Sequence, residues 1–167
     1  MPNLCDYEMC VVGEKSNLEK LEKIMKYEDS SLGSLYRVFD ADLVSIKQME
    51  GNIYRGYIVG CCAWSVYCCM MEGEHCYYQG EPDGTSLLQL SKALNLKMEI
   101  FTSESGIGFQ EHYFIDKGTL EINEEAEYGE FWFDEDNLTK EEIEEEMDGP
   151  ITDKEYRDYL SEGYFSR

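Results

Sequence analysis

Residues 53–71 constrain the chain most. They contain its longest apolar stretch, residues 57–71, about 15 positions interrupted by Gly60 and Ser65. A helix that crosses a bilayer needs about 20 predominantly apolar residues, so this stretch must be buried within a folded domain. Residues 53–64 become apolar on both faces, which suits a central, covered strand. The preceding Glu50-Gly51-Asn52 is a turn signal joining that strand to an earlier one within residues 35–49. There Tyr36, Val38, Asp40 and Asp42 alternate with Arg37, Phe39, Ala41 and Leu43. The parity shifts near Val44, which predicts a bulge. Ser65 can cap a helical turn through Met71 with Val66, Cys69 and Met70 on one face, and continued strand is the alternative.

The remaining elements follow from the same periodicities. Residues 6–12 have strand character and end at Gly13. Ser16 or Asn17 can cap a helix over 18–27, whose apolar face is Leu18, Leu21, Ile24 and Met25. Glu19–Lys23 and Glu22–Lys26 stand in the favourable i→i+4 order. Thr85 caps a second helix to about Leu94, with Leu87, Leu88, Leu90, Ala93 and Leu94 on its apolar face and Asn95 as the stop. Residues 97–102 form a strand, which Gly106-Ile107-Gly108 breaks. Residues 109–115 and 119–123 form a hairpin around Asp116-Lys117-Gly118, and residues 128–133 add a further short strand. The order β-α-β-β-α-β with extra β predicts an α+β fold of ferredoxin-like class. This is an antiparallel sheet with both helices on one face, extended by a C-terminal β-hairpin.

The charge balance acts on function rather than fold. The chain has 36 acidic and 14 basic residues, a formal net charge of −22. Nucleic-acid backbones and anionic membranes recruit Lys/Arg patches, so direct nucleic-acid or membrane binding is not expected. The imbalance is also localised. Residues 121–167 carry 18 acidic and 4 basic side chains, whereas residues 1–120 carry 18 and 10. The expected division is a ferredoxin-like domain over 1–133 and an acidic helical extension over 134–167. Thr139-Lys140-Glu141-Glu142 and Thr152-Asp153-Lys154-Glu155 are capping-box patterns opening two short acidic helices. The N-terminal sequence has neither a basic segment nor an apolar core of a secretory signal, so a cytoplasmic protein is expected.

Four stretches together resemble the YubB ferredoxin-like domain proteins of plasmids, phages and integrated elements. They are Met1-Pro2-Asn3-Leu4-Cys5, the run from Gly60 to Met70 that contains Ala63-Trp64-Ser65, the helix from Thr85 to Leu94, and the run from Ser103 to His112. The resemblance covers about residues 1–133. It implies a ferredoxin-like fold and a mobile-element context, and it supplies no catalytic residues.

The seven cysteines (5, 10, 61, 62, 68, 69 and 76) are an odd number and read as reduced thiols, mostly small buried hydrophobes. Cys61-Cys62 and Cys68-Cys69 are adjacent pairs, and neighbours on a strand point to opposite faces. Such a pair does not readily supply two ligands to one tetrahedral zinc. A calcium loop starting at Asp134 fails, because Leu138 and Thr139 stand where an oxygen ligand and Gly are required. Gly106-Ile107-Gly108 lacks the helix and third Gly of a dinucleotide loop. His112 and His75 are the only imidazoles; a Cys62–His112 pair across adjacent strands is one arrangement for nucleophilic catalysis, but nothing in the spacing asks for it and a structural His is favoured. Asp40 and Asp42 share a strand face without a third ligand.

No cofactor, metal or catalytic residue is therefore assigned. The expected function is a non-catalytic acidic binding protein that occupies a basic surface, such as that of a nucleic-acid enzyme or CRISPR effector, as an anti-CRISPR or antirestriction inhibitor does. The candidate partner-binding residues are Glu124, Glu125, Glu127, Glu130, Trp132, Asp134, Glu135, Asp136, Glu141, Glu142, Glu144, Glu145, Glu146 and Asp148. One alternative is a small enzyme or a thiol- or metal-dependent protein using the Cys/His-rich segment 61–76. The other is a structural or oligomeric protein with a solvated acidic tail.

Overall fold

In the computed structural model, the described residues are 3–71, 84–127, 144, 149, 150 and 152. The chain divides into two compact units, Met1–Glu130 and Phe131–Arg167. The first contains β1 (Leu4–Glu14), α1 (Lys15–Met25), β2 (Val38–Gln48), β3 (Ile53–Ala63), α2 (Val66–Met70), α3 (Leu87–Ala93), β4 (Lys97–Glu104), β5 (Phe109–Asp116) and β6 (Thr119–Glu127). The strands form one six-stranded sheet in the order β2-β3-β1-β4-β5-β6. Every neighbouring pair is antiparallel. The architecture is α+β, a single antiparallel sheet with a few short helices.

Alternation within the strands builds one core. Cys5, Tyr7, Met9 and Val11 on β1 lie in register with Cys62, Gly60, Ile58 and Gly56 on β3. Met98 and Ile100 on β4 continue that layer to Ile115 and Tyr113 on β5. Leu18, Leu21 and Ile24 of α1 and Leu87 and Leu90 of α3 join the same buried cluster. Burial of each such aliphatic side chain contributes about 1.5–3 kcal/mol. The small residues on β3 let helix and sheet approach, because a Cβ on Gly56 would meet the Leu18 and Leu43 side chains.

Local signals placed several elements well. The β2 register shifts between Leu43 and Ser45, so the bulge falls at Val44. Beside it, the Leu43 N–H donates to Glu22 of α1 at 3.0 Å. The Glu50–Asn52 turn joins β2 to β3, with Gly51 in the left-handed region at φ 56°. Ser65 does cap α2, accepting from the Cys68 N–H at 3.0 Å, and Val66, Cys69 and Met70 are buried. Asn95, at φ 53°, ends α3 in the left-handed conformation common after a helix C-cap.

Other boundaries differ for identifiable reasons. α1 starts at Lys15 rather than Leu18, and Asn17 does not cap it; its side-chain amide donates to the Leu94 carbonyl at 2.9 Å. The cap of α3 is Ser86 instead of Thr85, whose hydroxyl bonds to Gln89. On α3, Ser91 is buried and Ala93 exposed. The Ser91 hydroxyl donates to the Leu96 carbonyl at 2.6 Å and accepts from the Gly118 N–H, so a polar residue closes the turn beneath the β5–β6 hairpin. β3 is covered on one face and only half-buried at Tyr57, Val59 and Cys61 on the other. β4 extends to Glu104 and β6 to Glu127, beyond the expected ends. The strand expected over 128–133 and most of the two acidic helices lie outside the described residues. Within them Glu144 is helical, and the Gly149 N–H donates to its carbonyl.

One contact crosses three strands. The Tyr7 hydroxyl on β1 passes over Gly60 on β3 and donates to the Asp40 carbonyl on β2 at 2.6 Å. A Cβ at position 60 would collide with that carbonyl and with the tyrosine hydroxyl. Gly60→Ala is therefore expected to cost roughly 1–3 kcal/mol, as overpacking does. Tyr7→Phe should cost about 1 kcal/mol. Urea denaturation of both variants and the double variant checks this: the combined loss should fall short of the sum, because both changes remove the same bond.

Candidate functional site

The acidic residues singled out in the sequence fall into two groups. Glu124, Glu125 and Glu127 are exposed on β6, the last strand of the sheet. Glu144 is half-buried. Glu130, Trp132, Asp134, Glu135, Asp136, Glu141, Glu142, Glu145, Glu146 and Asp148 lie outside the described residues.

β6 divides its acids between the two sides of the sheet. Its register shifts between Phe114 and Ile115, leaving Glu121 as the extra residue. Beyond it, Glu124 pairs with His112, and Glu125 pairs with Glu111. Alternation then gives each side of the β5–β6 ribbon its own chemistry.

On the side away from the helices, His112 joins three strands. Its Nε2 lies 2.9 Å from Glu99 Oε1 on β4, and its Nδ1 lies 3.2 Å from Glu124 Oε2 on β6. Its ring stacks on Phe101 with centroids 4.1 Å apart and an 8° interplanar angle. Cys62 and His112 do not pair. β1 and β4 separate β3 from β5, and Cys62 faces the helices whereas His112 faces away.

On the helix side, Glu111 is buried, at 3% exposure. Its Oε2 accepts from the Val66 N–H at 2.9 Å and from the Thr102 hydroxyl at 2.9 Å. Its Oε1 accepts from the Tyr67 N–H at 3.3 Å and the Tyr113 hydroxyl at 2.9 Å. The carboxylate thus joins the first turn of α2 to β4 and β5. Burial pushes its pKa above the ordinary glutamate value, against the pull of those four donors. Burial likewise pushes the Tyr113 phenol up, and the adjacent Glu111 charge adds to the shift. Glu111 borders a cavity of about 480 Å³ lined by Ser65, Tyr67, Cys68, Phe109, Tyr113, Asn123 and Glu125 as well.

Sequence reading missed Glu111 as a site residue. A signal existed: Phe109, Glu111, Tyr113 and Ile115 share one parity, so an acid stands in an otherwise apolar series. Two of its four partners come from α2, about 45 positions earlier, which no local pattern reveals.

The thiols are distributed as adjacency on a strand requires. Cys62 is buried on the helix side and Cys61 half-buried on the other. Cys5, Cys10 and Cys69 are also buried, and Cys68 is half-buried. Hydrogen bonding with Cys5 and Cys69, together with burial, pushes the Cys62 thiol up. Burial pushes Cys10 up to about 12 and also raises Cys61. The nucleophile in cysteine chemistry is the thiolate, and these three thiols are held protonated. Cys76 and His75 lie outside the described residues. Among the described residues, no group of three or more His, Cys, Asp or Glu side chains is arranged to hold a metal ion.

No protein-family model, curated protein or solved structure matches the chain.

Two outcomes are expected at Glu111. Its carboxyl resonance, followed by NMR, should titrate above the ordinary glutamate range. A raised native value contributes stability that is present below the unfolded-state pKa and lost as pH rises through the native one. Glu111→Gln cannot accept from all four donors and should destabilise by about 1–3 kcal/mol. In urea denaturation that difference should narrow as pH rises through the Glu111 titration; a difference that widens contradicts the assignment.

Proposed function

We propose that the chain is a non-catalytic acidic binding protein of ferredoxin-like, YubB-related type, which occupies a basic surface of a nucleic-acid enzyme. The fold part of this reading is supported by the first four strands, whose order β2-β3-β1-β4 has β1 and β2 separated by an antiparallel β3. This is the arrangement of a split βαβ unit. On this reading β5 and β6 extend the sheet beyond β4.

The observation that carries the functional part is β6. The terminal strand among the described ones, it exposes Glu121, Glu124, Glu125 and Glu127. Its glutamates belong to residues 121–167, which hold most of the acidic excess. Carboxylates two residues apart on one face of a strand lie about 7 Å apart along it. Glu125 and Glu127, two residues apart on one side of β6, therefore present negative charge at such an interval, as a decoy for a phosphate-binding groove requires. No described helix is long and apolar enough to cross a membrane, and the proposed site of action is the cytoplasm. A mobile element gains from blocking a host nuclease, which makes an anti-CRISPR or antirestriction inhibitor the specific form of the proposal.

Binding is expected to weaken about tenfold or more between low and physiological salt, because complementary charge governs encounter. The Gln replacement of Glu141, Glu142, Glu144, Glu145 and Glu146 together should abolish capture. The check is affinity capture from host lysate at both salt concentrations, with partners identified by mass spectrometry and their affinities then measured. Salt-insensitive binding, or full binding by the Gln variant, would refute the electrostatic reading.

A further inference from the structure

The cavity beside Glu111 holds an electrostatic mismatch. Glu111 and Glu125 are directly opposed across β5 and β6. Residues so placed have Cβ atoms about 4.5–5.5 Å apart, and like charges there are destabilising. Among the described residues, no Lys, Arg or His forms an ion pair with either. The donors to Glu111 are two backbone N–H groups and two hydroxyls, all neutral. The other side of the same ribbon provides the comparison: Glu99 and Glu124 also converge there, and His112 sits between them. The helix side has open volume in that place.

The lining identifies the kind of cation. At about 480 Å³ the cavity far exceeds a bare ion or a single water molecule. Tyr67, Phe109 and Tyr113 contribute aromatic rings, and Ser65, Cys68 and Asn123 contribute small polar groups. Aromatic rings attract organic cations through their quadrupole, whereas hard metal ions need six or more oxygen ligands. The Glu125 carboxylate, the Glu111 charge behind it and three aromatic side chains therefore suit an ammonium or guanidinium group carried on an alkyl stem.

We propose that this cavity is a socket for an organic cation, with Glu125 at its rim to accept from the cation, Glu111 at its buried end contributing charge alone because its four acceptor positions are filled, and the three aromatic residues around the cation and its stem. The inference deepens the acidic-surface reading and rests on it for the source of the cation, a Lys or Arg side chain of the basic partner. A free polyamine carries the same chemistry, and the test separates the two.

The folded full-length chain would be titrated with Nα-acetyl-lysine methylamide, Nα-acetyl-arginine methylamide, spermidine and uncharged Nα-acetyl-norleucine methylamide, with the Tyr67, Phe109 and Tyr113 ring resonances observed by NMR. Saturable shifts with a cationic probe, and none with norleucine, support the socket. Glu125→Gln should weaken binding about three- to fivefold, the scale of a partly exposed ion pair. Tyr67→Leu should weaken it by a similar factor through loss of a ring face, and Glu50→Gln, at the distant β2–β3 turn, should leave it unchanged. These exposed or half-exposed positions are used because Glu111→Gln also removes structural bonds. Absent shifts, or equal shifts with norleucine, overturn the socket. A response to spermidine alone supports the socket but removes its link to a basic protein partner. The Gln replacement of Glu141, Glu142, Glu144, Glu145 and Glu146 leaves Glu111 and Glu125 in place, so failure of the capture and failure of the socket are read separately.

Discussion

Glu111 holds together parts of the fold that sequence alone leaves unconnected. α2 has five residues, too few to be stable as an isolated helix in water. Its two leading N–H groups end on one buried carboxylate, which is also bonded from β4 and β5. Leaving a buried donor unmade costs about 1–3 kcal/mol each, so these bonds fix where α2 lies. That position in turn delivers Cys69 and Met70 to the core. It also sets the end of β3, where Trp64 adopts φ 63° and its N–H donates to the Asn3 carbonyl. The Arg37 guanidinium then packs 4.7 Å from the Trp64 ring centroid, with Arg37 itself left-handed at φ 49°. Two residues in an uncommon backbone region face each other across a cation–π contact, and the surrounding hydrogen bonds keep both there.

The features legible in the sequence were those whose cause is local. The Val44 bulge shows as a break in alternation, and the Ser65 cap as a hydroxyl three residues before the N–H it accepts from. Where two local choices compete, sequence pattern cannot decide. Thr85 and Ser86 are both able caps, and the backbone selects Ser86 while Thr85 turns to Gln89. Asn17 is a good cap by type, yet the Leu94 carbonyl 77 positions away claims its amide. Glu22 illustrates both cases. Its bond to Lys26 follows from i→i+4 spacing, while its acceptance from the Leu43 N–H follows only from how α1 lies on β2. The candidate acids on β6 were legible as charge, but their partition between two sides was not.

That partition gives the β5–β6 ribbon two unlike surfaces. One is closed by an imidazole with a carboxylate at each ring nitrogen. A neutral ring can donate from only one nitrogen, and an imidazolium from both. The other is a cavity in which a buried carboxylate is held by neutral donors while a second stands opposite. The six described cysteines contribute to neither arrangement beyond the half-buried Cys68 at the cavity wall. Of the vicinal thiol pairs, conspicuous in the sequence, Cys62 and Cys69 fill core volume while Cys61 and Cys68 are half-buried.

The extra residue in β6 has a consequence for how this surface can change over time. Continuous pairing from Ile115–Leu120 would set Ile122 against Tyr113 and Glu124 against Glu111. The bulge at Glu121 inverts that phase, so that Asn123 and Glu125 face the cavity instead. The tight turn at Lys117-Gly118 and the far end of the strand are therefore out of step with each other. Single-residue insertions or deletions between the bulge and Glu125 would exchange the inner and outer acids wholesale. Point substitutions alter one side at a time. A lineage under pressure to retune its charge display can do so gradually only by exchanging side chains, with the length of this strand held constant.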